Sequence, residues 1–187
     1  MAFVSRNQWF LKPIFCQFHA CIIGSGPSGF SVAGHLLKHN DDVKVDILEK
    51  LIAPFGLIRY GVAPDHQDIK NFTKNYEKIA MNPRVTYWGG VDVGRDVSLN
   101  TLLNIYDCVV LCYGRNVPKK LNIPGEKLSN VFNSCEIVGW YNGHPHYAHI
   151  HPNLQGSTAT IIGNGNVALD IARILSSSRR LTVVVVL

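Results

Sequence analysis

Two stretches of this 187-residue chain have residue types and spacing that could do chemistry. The first is GSGPSG, Gly24 to Gly29, and the second is Gly163-Asn164-Gly165-Asn166-Val167-Ala168, which starts 139 residues further on. G-x-G-x-x-G and G-x-G-x-x-A are the spacings of a turn that offers backbone N–H groups to a pyrophosphate at a helix N-terminus, where side chains would obstruct it. In the first turn Gly24 is expected to make the tight bend and Gly26 to permit close approach. Gly29 then lets the helix pack on the strand, with Pro27 and Ser28 lying between. Glu49 comes 20 residues after Gly29, at the end of the next apolar run. A carboxylate there accepts hydrogen bonds from both hydroxyls of a ribose and selects an adenosine without a 2′-phosphate. The first turn is therefore expected to hold FAD or NAD and to reject NADP, against the plain alternative of a structural turn with a chance glutamate.

The second turn has no such acid, because the following strand is LTVVVVL, ending at Leu187. Arg179-Arg180 precedes that strand, whereas ligands sit beyond the carboxyl ends of strands. At about 3.3 Å per residue the pair would lie roughly 20 Å away, and it reads as a solvated loop. His144, His146, His149 and His151 form a loop that could chelate a metal. The five cysteines are odd in number and contain no C-x-x-C, which argues against a disulfide framework, a zinc site or an iron–sulfur cluster and for reduced thiols inside a cell. Cys108 and Cys112 share one face of an apolar run and read as small buried hydrophobes. No Ser/His/Asp or paired-carboxylate constellation competes with the two turns.

The elements around the turns are those such chemistry needs. Ala20 to Ile23 is a short apolar run that leads into the first turn, and Phe30, Ala33, Leu36 and Leu37 form a helical stripe after it. DDVKVDILEK follows as a strand, with Val43, Val45 and Ile47 on one face and Leu48 beyond. The whole is a βαβ unit. LIAPFGLIRYGVAPDH reads as a long ordered loop, Ile69 to Met81 as a polar surface helix, and RVTYWGGVDVGRDV as a hairpin or meander. Leu99 to Tyr106 is expected as a short helix and DCVVLCYG as a buried strand. A boundary is placed near Val117, and a loop-rich region from Val131 to Gly156 precedes the second turn, which opens at Thr158.

A net charge of +5, with no Lys/Arg block longer than two, is too diffuse for a nucleic-acid partner. No apolar run approaches the roughly 18 residues that span a bilayer. The first 40 residues contain no Asp or Glu. MAFVSRNQWFLKPIFCQFHA reads as a short mitochondrial presequence rather than a secretory signal, the alternative being an ordinary N-terminal tail.

The motifs GSGPSGF, LEKLIAPFGLIRYGVAPDHQDIKN, GGVDVGRDV, VVLCYG, IPGE, GWYNG and GNGNVALDIARIL together resemble the adrenodoxin reductases, the adrenodoxin-type ferredoxin–NADP+ reductases of mitochondria. The resemblance runs from about Ala20 to Leu175. It implies an α/β fold, in which an FAD-binding three-layer (ββα-type) Rossmann-like domain is followed by the start of a second, NADPH-binding Rossmann-like domain. The corresponding division is a presequence at 1–18, an FAD-binding domain at 19–117, and a linker with the beginning of the NADPH-binding domain at 118–187. The resemblance also places FAD in the first turn and NADPH in the second. Ser28 then contacts FAD through its backbone, Glu49 is the ribose acid, Leu57 lies in the loop beside the flavin, and Val93 makes a backbone contact at the adenine end. Asp65 and His66 match a flavin-proximal catalytic pair. Gly163, Asn164, Gly165, Asn166 and Val167 match the loop that carries the NADPH pyrophosphate. The family has no metal at the four-histidine loop, which leaves that loop solvated.

The activity so implied is transfer of a hydride from NADPH to FAD, then of single electrons to an adrenodoxin-like [2Fe–2S] ferredoxin serving cytochromes P450 or iron–sulfur assembly. The implied setting is the mitochondrial matrix, with peripheral inner-membrane association. Flavoproteins of the glutamate synthase small-subunit type share the glycine turns and are the rival enzyme reading, and a non-catalytic truncated fragment is the third. SSSRRLTVVVVL does not continue the family's pattern and reads as a truncated or aberrantly spliced end, so the chain is read as an incomplete form.

Overall fold

Strands made of unbroken apolar runs are stable only when both faces of their sheet are covered, and the central strands of this chain are of that kind. The computed structural model describes residues 2–5, 17–115, 117–177 and 182–186. Their contacts form two compact units, Met1–Arg59 with Gln67–Arg115 and Tyr60–His66 with Asn116–Leu187.

In chain order the first unit holds β1 (Ala2–Ser5), β2 (His19–Ile23), α1 (Pro27–His39), β3 (Lys44–Glu49) and α2 (Gly56–Tyr60), whose last residue belongs to the second unit. It continues with α3 (Gln67–Lys70), α4 (Thr73–Ala80), β4 (Val85–Gly89), α5 (Leu99–Ile105) and β5 (Cys108–Leu111). The strands form one sheet in the order β1-β5-β2-β3-β4. β5, β2, β3 and β4 are parallel, and β1 runs antiparallel to β5 with Ala2 opposite Leu111. Alternate residues enter opposite cores. Ala20, Ile22, Val45, Ile47 and Val110 pack with Phe30, Ala33 and Leu37 of α1, while Cys21, Ile23, Leu48 and Val109 pack with Leu102 of α5. Pro27 stands in the first turn of α1 and Lys38 and His39 in its last, as the orphan N–H groups and the helix dipole favour. The expected presequence at 1–18 lies mostly outside the described residues; of it, Ala2–Ser5 is described as β1.

Cys108 and Cys112 lie in the core on the α1 side. Burial raises both thiols and pushes Cys21 up to about 12, so all three stay protonated at neutral pH. They serve as packing groups. Asp46, buried in the sheet, is satisfied by the Tyr106 hydroxyl at 2.7 Å and lies 3.3 Å from Nε2 of His19.

Three elements differ from the sequence expectation. The loop after β3 contains α2. The helix expected over Ile69 to Met81 is split into α3 and α4 around Asn71 and Phe72, where the Thr73 hydroxyl donates to the Lys70 carbonyl and competes with helix continuation. α4 is also less of a pure surface helix than expected, because Tyr76 stacks on Phe30 at 5.2 Å and Ile79 packs on the core. RVTYWGGVDVGRDV makes neither a hairpin nor a meander. β4 is a parallel edge strand on β3, and at Gly89-Gly90 the chain leaves across the end of β3, with Gly90 N–H donating to the Leu51 carbonyl and Val91 N–H to that of Glu49.

The second unit holds α6 (Ser134–Tyr141), a 3-10 turn at Pro145–Tyr147, β6 (Thr158–Ile162), α7 (Asn166–Ser177) and β7 (Thr182–Val186). β6 and β7 are parallel neighbours joined by α7, a second strand–turn–helix–strand unit. Asn133 and Glu136 cap α6 reciprocally. Gly139 is required where the ring of Tyr147 seats on α6, since a Cβ there would come 2.0 Å from that ring.

Candidate functional site

The first turn joins β2 to α1. Gly24 has φ +106 and donates its N–H to the Leu48 carbonyl at 2.8 Å; a Cβ on it would meet the Cys112 carbonyl oxygen at 2.5 Å. A Cβ on Gly29 would lie 2.0 Å from the Gly24 carbonyl oxygen and 3.4 Å from Ile22, so this glycine sets how closely α1 lies on β2. Gly26 is different: a Cβ there would meet nothing within 4 Å. The protein itself has no packing need for that glycine, and the open space lies at the N-cap of α1. Among the described residues no side chain caps that helix end. The N–H groups of Ser28, which is exposed, and Gly29 follow Pro27 in the first helical turn. A pyrophosphate fits such a cradle, because it supplies the acceptors the helix end lacks.

Glu49 closes β3 beside the turn. Its Oε2 accepts from Ser25 N–H at 2.8 Å and from Ser25 Oγ at 2.6 Å, and its Oε1 from Leu51 N–H at 3.1 Å. The segment after β3 also comes back onto the turn. Phe55 N–H donates to the Ser25 carbonyl, and a Cβ on Gly56 would lie 3.1 Å from the Gly26 Cα. Phe55 holds a φ of +84, a strained conformation for a bulky residue, and is kept there by burial against Phe30 at 5.2 Å. Leu57, expected in a loop, lies instead in α2, and its side chain is 71% exposed right after the glycine that touches the turn. Val93 is half-buried against the core on the α5 side, in the segment that begins at the end of β3. All the residues proposed for FAD thus belong to the first unit.

The residues proposed for NADPH belong to the second. Gly163 has φ +125 and donates its N–H to the Val186 carbonyl at 2.8 Å. Among the described residues no atom lies within 4 Å of a Cβ added at Gly163 or Gly165. Asn164 is exposed, Asn166 opens α7, and Val167 is 44% exposed. Arg179-Arg180 lies outside the described residues.

Asp65 and His66 also fall in the second unit, against α7. Arg173 of α7 grips Asp65 with two parallel hydrogen bonds, Nε to Oδ2 at 2.7 Å and Nη2 to Oδ1 at 2.9 Å, and reaches Asp170 with Nη1 at 2.8 Å. His66 Nε2 lies 4.0 Å from Asp170 Oδ1. The guanidinium holds the Asp65 carboxyl below the usual carboxylate range. Asp65 is therefore an anchor that ties its segment to α7. The Tyr141 hydroxyl, near these charges, is buried without a hydrogen-bond partner among the described residues and is pushed up to about 12 by burial. His144 packs its ring on Tyr60 at 4.7 Å and accepts from His146 N–H, an aromatic cluster in the histidine loop.

The motif reading missed Ser25, Phe55 and the Asp170–Arg173 pair. Ser25 occupies a free position of the motif, and Phe55 is ordinary in type. Asp170 and Arg173 show only an i,i+3 spacing, and the partner Asp65 is 108 residues from Arg173.

A sequence model of the family described as pyridine nucleotide-disulphide oxidoreductase matches residues 18–187. The match includes the tail, where β7 supplies the strand that the βαβ unit needs, so at the level of the fold the tail continues the pattern. The chain is 50% identical over 155 residues to the mitochondrial NADPH:adrenodoxin oxidoreductase of Bos taurus, over 83% of this chain and 32% of that one. It is 48% identical over 163 residues to the NADPH-ferredoxin reductase FprA of Mycobacterium tuberculosis, over 84% and 36%. The structure of FprA in complex with NADPH matches with a TM-score of 0.83 at 47% identity, over 85% of this chain and 36% of that chain. The chain spans about a third of the length of these relatives.

Proposed function

From a chain that belongs to the pyridine nucleotide-disulphide oxidoreductase family, we propose the FAD-holding part and the opening of the NADPH-holding part of an adrenodoxin-type ferredoxin reductase. The first unit is read as the FAD-binding domain, with a boundary near Val117. The observation that carries the reading is the first turn. Gly26 leaves open space at an uncapped helix N-terminus, and Glu49 stands beside it with its carboxylate already oriented. This arrangement suits the pyrophosphate and adenosine ribose of FAD.

When bound, FAD supplies the exchange between two-electron and one-electron chemistry. The chain's own residues bind and orient. The N–H groups at the start of α1 donate to the pyrophosphate, Glu49 receives ribose, and the segment around Gly56 and Leu57 lies against the turn. In the second unit the Gly163 turn takes the NADPH pyrophosphate, and Arg173 holds Asp65 and Asp170 beside His66. The electron acceptor proposed is a [2Fe–2S] ferredoxin, supported by relatives named for adrenodoxin and ferredoxin. A mitochondrial matrix location is supported by the acid-free N-terminus and by mitochondrial relatives, alongside a bacterial one of similar identity. No helix among the described residues is long and apolar enough to cross a membrane.

Titration of the purified chain with FAD tests the first site. Saturable flavin uptake that Gly26→Val abolishes is expected, and a chain that takes up no flavin overturns the reading. The electron-transfer step is tested with the chain joined to the C-terminal part of the bovine relative, which supplies the length not spanned here. NADPH should bleach the flavin of that protein, and oxidised [2Fe–2S] ferredoxin should restore its colour. Bleaching without restoration removes the ferredoxin and leaves the flavoprotein.

A further inference from the structure

We propose that Ser25 is a positioning residue for nucleotide recognition: its buried hydroxyl fixes the carboxylate of Glu49 so that a single oxygen, Oε1, is presented to the adenosine ribose. The proposal rests on the FAD reading of the first turn and deepens it. Ser25 is the free position between Gly24 and Gly26, where the motif asks for no particular side chain. Yet it has no exposed surface, and with Asp46 it is one of the polar residues buried among apolar neighbours. Burying a hydroxyl is unfavourable unless it is hydrogen-bonded, so a serine here needs a partner.

That partner is Glu49. Ser25 Oγ donates to Oε2 at 2.6 Å, the short distance of a hydrogen bond to a charged acceptor, and Ser25 N–H donates to the same oxygen at 2.8 Å. An ionised carboxylate has about four acceptor sites, two on each oxygen. Oε2 is thereby filled. Oε1 takes Leu51 N–H at 3.1 Å and keeps one site. The count narrows the expectation drawn from the sequence, in which both ribose hydroxyls reach the carboxylate. One hydroxyl binds Oε1, and Ser25, itself out of reach of any ligand, decides which oxygen is offered. Without the hydroxyl, Glu49 keeps its charge but loses the bond that fixes its rotation, and the ribose must then order it on binding.

The test is a cycle of FAD affinities by flavin-fluorescence titration of this chain, using FAD and an analogue whose adenosine ribose has no hydroxyls. Ser25→Ala is expected to weaken FAD by about tenfold, the scale of one hydrogen bond to a charged group, and to leave the analogue's affinity unchanged. Glu49→Gln should weaken FAD further, and adding Ser25→Ala to it should change little, because both substitutions act through one carboxylate. Should Ser25→Ala not fold, Ser25→Gly keeps the backbone donor and makes the same comparison. An equal loss for FAD and for the analogue overturns the proposal, since it shows a general disturbance of the turn. Additive effects of the two substitutions overturn it as well. A parent chain that binds no FAD overturns the flavin reading itself, an outcome distinct from the other two.

Discussion

Among single residues, the glycines of the first turn separate stability from binding. Gly29 is demanded by the protein's own backbone, because its Cβ would sit 2.0 Å from the Gly24 carbonyl oxygen, whereas the Cβ of Gly26 would enter open space. Gly29→Ala should therefore lower the stability of the flavin-free chain by about 2 kcal/mol or more, as overpacking against immobile backbone does. Gly26→Ala, at an ordinary φ of −77, should cost less than about 1 kcal/mol, the difference between glycine and alanine at an N-cap, and yet lose most flavin affinity. Urea midpoints and FAD titrations of both variants make the check. Equal destabilisation by the two would show that Gly26 also serves packing. The same scale explains why the buried thiols stay out of the chemistry. Burial raises Cys21, Cys108 and Cys112 together, and nearby Asp46 pushes Cys21 further from the thiolate.

At the scale of elements, Arg173 makes the bidentate contact between the Tyr60–His66 segment and α7. Arg173 joins Asp65 to Asp170, so Arg173→Gln should speed amide exchange across 60–66, by up to about fivefold for a pair this exposed. The exchanged pair Asp65→Arg with Arg173→Asp should recover part of the protection. If the single variant leaves exchange unchanged, the segment is held by other contacts. The pH dependence follows from the direction of the Asp65 shift. Its carboxyl is lowered in the folded chain from an ordinary 3.8. The clamp's contribution is thus fully present above that value and is lost as pH falls through the lower, folded one. Protection of 60–66 that did not fall as the solution was acidified through the carboxylate range would show that the segment is held independently of the Asp65 charge.

Over the whole molecule, the two units differ in how much apolar surface they bury. β2 and β3 are almost wholly buried and α1 contributes Phe30, Ala33 and Leu37. α7 has no buried residue, and Ile162, Leu169, Val184 and Val186 are each more than 40% exposed. Local stability follows buried apolar contact. Amides of β2, β3 and β5 should therefore exchange slowest in this chain, and those of β6, α7 and β7 markedly faster. Exchange as slow in β6 as in β2 would show that β6 is protected by more than its burial here.

Much of this was legible in the order of residues. The apolar runs, the helical stripe of α1 and the two glycine turns are local patterns, because a period of two or 3.6 and a positive φ leave their mark within a few neighbouring residues. Glu49 was legible for the same reason, since strand length sets its distance from the turn. The hairpin or meander expected over RVTYWGGVDVGRDV failed because strand partners are a long-range choice: β4 satisfies its backbone on β3 and leaves across that strand's end. The single helix expected over Ile69 to Met81 is divided into α3 and α4, where the Thr73 hydroxyl competes for the Lys70 carbonyl. What the sequence by itself determined is the pair of βαβ units and the glycine turns that open their helices. What only the tertiary structure decided is which distant side chains pair within each unit. Ser25 on Glu49 and Arg173 on Asp65 join residues 24 and 108 positions apart. No local periodicity encodes such pairs, which exist only once packing has brought a donor and a carboxylate together.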